Sequence, residues 1–375
     1  MLRGIAVIAV VGTHFFWVFF PNLVIGNFRG LGLTDGIEPF PFYNLIVPNV
    51  LAVALLMAVS GYAIVEAWSS RSAPASLSGS ILHRYLRLVL PALVAGAVAW
   101  ALMMMFGDLH LKASERIYGF AGSTWLSQMW SEPLTLKNLA REFLLGDVQN
   151  DTALLPPLWM MPDLFLGSIA CLTGLRLAPK RAGPAVLLAL GIAIFFFRPL
   201  TAAVVLGAAI AAFIRSGSLG TPCVAVRVVL IAVALFVGLN PSGSGTGGLV
   251  LAQWYDPWMP ETWGRLATAL AGPILLYAAL PTPTTQRYLA RSLGAVGRLS
   301  YGLFLLHWPI LLAGSCGAFL LFEPYLGFGY SVMITALVTI ALLWIATLIF
   351  HRFVERPILI RIAGIGRGKQ SVASE

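Results

Sequence analysis

The chain has 375 residues, 59% of them hydrophobic and only 10% charged, with a mean hydropathy of +0.86. Soluble domains are about half apolar and a quarter charged, so a water-soluble fold of this length has too little polar surface to cover what it would have to hide. The net charge of +9 comes without a long basic block, which argues against a nucleic-acid partner and leaves Lys and Arg as topology signals between apolar runs.

Several apolar runs reach the roughly 18 residues that cross about 30 Å of hydrocarbon as a helix, and the alternating segments of a spanning β-barrel are missing. The pattern predicts an all-α, polytopic membrane bundle of about ten transmembrane helices, at 2–20, 44–68, 84–106, 157–176, 184–197, 200–215, 226–240, 263–281, 299–321 and 329–350. The first reads as a retained span, because no small-residue cleavage site follows it. The pair from 184 to 215 is split at Arg198-Pro199 and reads as two short spans or one re-entrant unit. An even count puts both termini on one side, and most of the 24 Lys and Arg residues then fall in segments that are cytoplasmic.

This plan gives a membrane-embedded domain at 1–360 and a basic cytoplasmic tail at 361–375. Its largest outer loop spans about 107–156. Within it, residues 134–145 repeat apolar side chains at helical spacing and are expected to lie along the membrane surface or to cap the bundle. A second outer loop, about 241–262, carries Trp254, Tyr255 and Trp258, with Trp263 just beyond it, side chains suited to headgroup anchoring or to stacking on sugars. Cys171, Cys223 and Cys316 lie in or beside apolar runs without CxxC spacing, so they read as packing residues rather than a disulfide or metal site.

Ionisable groups inside apolar spans are costly and mark candidate chemistry. Arg3 and His14 stand eleven residues apart, three helical turns, and so share nearly one face of the first span. His14 suits a general base or proton carrier, and equally a neutral imidazole bonded between helices. Arg84 and Arg87, at i and i+3 in His83-Arg84-Tyr85-Leu86-Arg87, present two forks at the cytoplasmic side that fit phosphate oxygens or lipid headgroups. Ser60-Gly61-Tyr62 permits close helix approach. The fourth span opens Pro157-Leu158-Trp159-Met160-Met161-Pro162-Asp163, and Asp163 is a candidate to orient or charge-balance His14. Ser300-Tyr301-Gly302 precedes His307-Trp308-Pro309, where a second imidazole meets backbone groups freed by proline. Glu355-Arg356-Pro357 reads first as a charge-paired helix end.

In their order and spacing these segments resemble the acyltransferase 3 family of integral-membrane acyltransferases, over nearly the whole chain. The resemblance implies transfer of an acyl group, acetyl above all, from cytoplasmic acyl-CoA to a hydroxyl of an exported carbohydrate or polyprenyl-linked sugar at a bacterial inner membrane. It implies that His14 is the essential histidine and that Arg84 and Arg87 engage the acyl-CoA phosphates. Arg3, Ser60, Tyr62, Trp159, Tyr301, His307 and Glu355 fall on other motif positions and are taken as substrate-binding. No metal or permanently bound cofactor is implied; acetyl-CoA is a donor substrate. One position departs: the family commonly has Glu five residues after the Trp of the fourth span, where this chain has Leu164, with Asp163 one residue earlier. On a helix that turns the carboxylate by about 100°. The expected chemistry is His14 as general base, by direct transfer or through an acyl-His14 intermediate. Its rivals are a transporter of sugars, lipid-linked intermediates or acyl groups, and a silent envelope scaffold.

Overall fold

The computed structural model describes residues 1–20, 49–70, 76–119, 124, 126–130, 135–146, 153–178, 182–239, 261–280, 283–363 and 365. Among them every regular element is a helix. In chain order these are α1 (Leu2–Phe19), α2 (Asn49–Ser69), α3 (Leu77–Phe106), α4 (Leu109–Tyr118), α5 (Leu136–Ala140), α6 (Met161–Leu177), α7 (Gly183–Phe195), α8 (Pro199–Arg215), α9 (Val224–Gly238), α10 (Glu261–Ala278), α11 (Pro283–Pro309), α12 (Cys316–Phe350) and α13 (Arg356–Ile362). Wider π turns follow three of them, at Arg141–Leu145, Ile310–Ser315 and His351–Glu355, and a 3₁₀ turn, Pro156–Met160, leads into α6.

Among the described residues, five helical stretches are long and apolar enough to cross a bilayer: 2–19, 50–69, 77–106, 156–177 and 294–362; α7, α8, α9 and residues 266–278 are shorter apolar helices. The chain is a multi-pass membrane protein. The run from 294 to 362 would measure about 100 Å if straight, far more than a bilayer. Gly327, at φ 69° and ψ 172°, breaks it into two limbs.

Helix α3 starts seven residues before the expected boundary because Ser76 caps it, its hydroxyl accepting the Gly79 N–H at 3.1 Å. Arg84 and Arg87 therefore project from within a helix. The expected span at 44–68 begins, among described residues, at Asn49; the expected outer loop at 241–262 lies outside the described residues except at its last two positions.

The core forms where α2 packs against α8 and α10. A Cβ on Gly61 would strike the Val204 carbonyl, and one on Gly207 would strike the Ala58 carbonyl, so these two helices meet backbone to backbone. This accounts for the small pair in Ser60-Gly61-Tyr62. Gly61→Ala is expected to destabilise the bundle by about 1–3 kcal/mol through overpacking, read as a lower melting temperature of the detergent-solubilised protein.

The segment expected to lie along the membrane surface or to cap the bundle packs against the flank of α3. The Tyr85 hydroxyl donates to the Leu144 carbonyl at 3.1 Å, and the Phe143 ring occupies the space beside Gly96. Glu142, 3% exposed, accepts the N–H groups of Leu154 and Leu155 at 3.0 and 2.6 Å. Irregular backbone within a membrane bundle must be satisfied by protein, and this carboxylate does so for the approach to α6. Burial pushes its pKa up, and the two N–H groups act against that shift.

Candidate active site

His14 sits on the side of α1 that meets the end of α11. Its ring stacks on His307, with centroids 5.0 Å apart and planes 28° from parallel, and it meets Trp17 and Trp308 edge-on. His307 is fully buried, whereas His14 is half-buried. His307 Nδ1 lies 2.6 Å from the Phe304 carbonyl, and its Nε2 lies 3.1 Å from His14 Nδ1.

These contacts fix the protons. A carbonyl only accepts, so His307 Nδ1 carries hydrogen; in the neutral ring Nε2 is then an acceptor. His14 Nδ1 must donate to it. The neutral His14 ring is left with its lone pair on Nε2, the atom turned away from this bond. A hydrogen-bonded partner that fixes tautomer and ring orientation is what a general base requires. Pro309, which cannot continue the hydrogen-bond ladder, and the π turn at Ile310–Ser315 follow the pair directly.

Three turns from His14, about 16 Å along α1, Arg3 borders a cavity of about 110 Å³ between α1, α2 and α3. Ser60, Ser80, His83, Arg84 and Arg87 also line it, and no acidic side chain does among the described residues. Arg84 Nε donates to the Ser168 hydroxyl at 3.1 Å, and that hydroxyl donates to the Leu164 carbonyl at 2.6 Å. The guanidinium of Arg84 is thereby held from α6, with its terminal nitrogens beyond the tether. Arg3 lies over the Tyr301 ring, 5.9 Å from its centroid, and the Tyr301 hydroxyl donates to the Leu88 carbonyl. Several cations around one small space repel one another and lose hydration, so an anion stabilises the arrangement.

The remaining sequence candidates divide. Glu355, read as paired at its helix end, takes its hydrogen bond from His351 Nδ1 at 2.7 Å. Asp163 faces α8: its Oδ1 accepts from Arg198 Nε at 3.1 Å and from the Thr201 hydroxyl. Among described contacts it has none with His14. Tyr62 lies in the field of Glu66 and Arg215, which form a salt bridge at 3.3 Å, away from the arginine cavity. Trp159 is 47% exposed and does not line the cavity. Cys171 and Cys316 are buried and Cys223 exposed, all three unbridged. The roles of Ser168 and Glu142 depend on partners distant in sequence. The sequence signal for Glu142 was a lone carboxylate ahead of Phe143-Leu144-Leu145.

An all-helical membrane bundle with a paired imidazole and an arginine-lined cavity belongs to the class of multi-pass membrane proteins with polar chemistry inside. The family model of the acyltransferase domain, acyltransferase 3, matches residues 1–351, and the chain belongs to that family. It is accordingly a membrane acyltransferase. The matched range holds every candidate above except Glu355. No curated protein and no solved structure matches the chain at a significant level.

Proposed function

We propose that the protein is an acyl-CoA-dependent O-acyltransferase of the bacterial inner membrane that moves an acyl group, acetyl first among them, to a hydroxyl of an exported carbohydrate or polyprenyl-linked sugar. The observation that carries this reading is the His14–His307 hydrogen bond, which leaves a basic nitrogen inside a bundle that also holds an arginine-lined cavity. The phosphates of the donor bind Arg84 and Arg87, with Arg3 beside them, and the extended pantetheine arm carries the thioester the three turns to His14. His14 Nε2 removes the acceptor hydroxyl proton as its oxygen attacks the thioester carbonyl; the C–S bond breaks, and the imidazolium returns the proton to the leaving thiolate. No metal and no resident cofactor enters this scheme.

The same reading makes ten crossings. Four long stretches contribute one each, the broken run from 294 to 362 contributes two, and the four shorter apolar helices complete the count. Both termini are then cytoplasmic, as the distribution of Lys and Arg supports. The arginine cavity opens on that side, where acyl-CoA is found.

The direct test is reconstitution in lipid with radiolabelled acetyl-CoA and an acetyl-free surface glycan from cells lacking the gene. Label moving into the glycan supports the reading; no transfer to any glycan or lipid-linked sugar, with the protein folded, overturns it. Ser168→Ala removes the acceptor for Arg84 Nε. It is expected to raise KM for acetyl-CoA about threefold to tenfold with little change in kcat, measured in that assay.

A further inference from the structure

The cations of the donor cavity need something to hold them apart and aimed, and the structure supplies it from the far end of the chain. Glu355 is 5% exposed and sits in the π turn after α12. Its Oε2 accepts the Nδ1–H of His351, one turn back, at 2.7 Å. Among the described residues its Oε1 has no hydrogen-bond partner, and neither has Arg3 Nε, although both atoms are buried. The carboxylate lies in the electrostatic field of Arg3 and Arg87. Gly302 makes the approach possible: a Cβ there would come 3.1 Å from Thr347 Cγ2, 3.3 Å from the Phe350 ring and 3.6 Å from Glu355 Oε1. Gly302 therefore brings the carboxylate close to the residue after Tyr301, whose ring lies under Arg3.

We infer that His351 is a positioning residue for the anion site: its Nδ1–H clamps one oxygen of Glu355, which leaves the other unpaired as a fixed counter-charge to Arg3 and Arg87 beside the donor cavity. A carboxylate left unclamped has a second rotamer and no fixed direction for its free oxygen. The arginines then lose their counter-charge, and the cavity loses its preorganised affinity for a polyphosphate. This inference rests on the donor reading for its ligand, a coenzyme A thioester, and not for its geometry.

The test uses the full chain in lipid nanodiscs and two probes, coenzyme A and inorganic pyrophosphate, with affinity measured across a salt series. His351→Ala and His351→Phe are each expected to weaken both probes about tenfold and to flatten the salt dependence. His351→Asn, whose amide N–H stands where Nδ1 stood, is expected to return affinity to within about threefold of wild type. Glu355→Gln is expected to give the same loss, with no further loss in the double variant with His351→Ala, because the two act through one contact. His351→Phe carries the comparison should His351→Ala be unstable. Wild-type affinity in the Ala or Phe variant overturns the inference, as does a loss that Asn leaves unrepaired or one that multiplies with Glu355→Gln. If the wild type binds pyrophosphate through His351 but not coenzyme A, the positioning role stands and the donor reading falls; binding of neither overturns both.

Discussion

His14→Ala is expected to abolish acyl transfer, by at least about 10²- to 10⁴-fold, while the bundle folds and still binds coenzyme A. The ring is half-buried, and its described hydrogen bonds are to His307 and to the Val10 backbone one turn back, so its loss removes the base without emptying the core. His307 separates the geometric claim from a general need for aromatic packing. His307→Gln keeps an amide oxygen near the place of Nε2, able to accept from His14 Nδ1, and should retain most of kcat. His307→Ala removes the acceptor, lets His14 change tautomer, and should lower kcat about tenfold or more with KM for the donor little altered. Single-turnover kinetics with wild-type and variant protein checks both. Equal losses in His307→Ala and His307→Gln would remove the tautomer argument, and undiminished transfer in His14→Ala would remove the base. An acyl group found on His14 by mass spectrometry of rapidly quenched protein would assign the two-step route through Nε2 as nucleophile.

The second large effect is on donor capture. Arg84→Gln with Arg87→Gln is expected to raise KM for acetyl-CoA about 100-fold at low salt, with kcat much less affected, because phosphate contacts bind substrate and transition state alike. The gap to wild type should narrow as salt is added, since screening weakens the wild-type contacts while the double variant has few left to screen. Dephospho-coenzyme A esters compared with the parent ester would show whether the third phosphate contributes. A double variant with unchanged KM would return the arginines to a role in topology or lipid contact.

The features legible in the sequence were those that depend on short-range pattern. Apolar runs marked the helices, and helical spacing put Arg3 and His14 on one face. The Arg84-Arg87 pair announced itself by charge in an apolar setting. Long-range pairing was not legible: His14 and His307 are 293 positions apart, and nothing local to either names the other. His307 reads from its neighbours as a structural hydrogen-bonding group and from the resemblance as substrate-binding; the structure gives it hydrogen bonds to Phe304 and His14, and the second partner is what the sequence lacked. Asp163 shows the converse. Its place near Trp159 suggested a link to His14, but a carboxylate at a helix start takes whichever donors the next helix offers, here Arg198 and Thr201. Residues 134–145 were periodic enough to predict a helix. Periodicity gives a face without giving its partner, which is the α3 flank around Tyr85 and Gly96.

The contact of α2 with α8 through Gly61 and Gly207 has a bearing on traffic. Two backbones that touch leave no slot for a prenyl tail or a fatty chain, so a chain of that kind does not pass between α2 and α8 where these glycines meet.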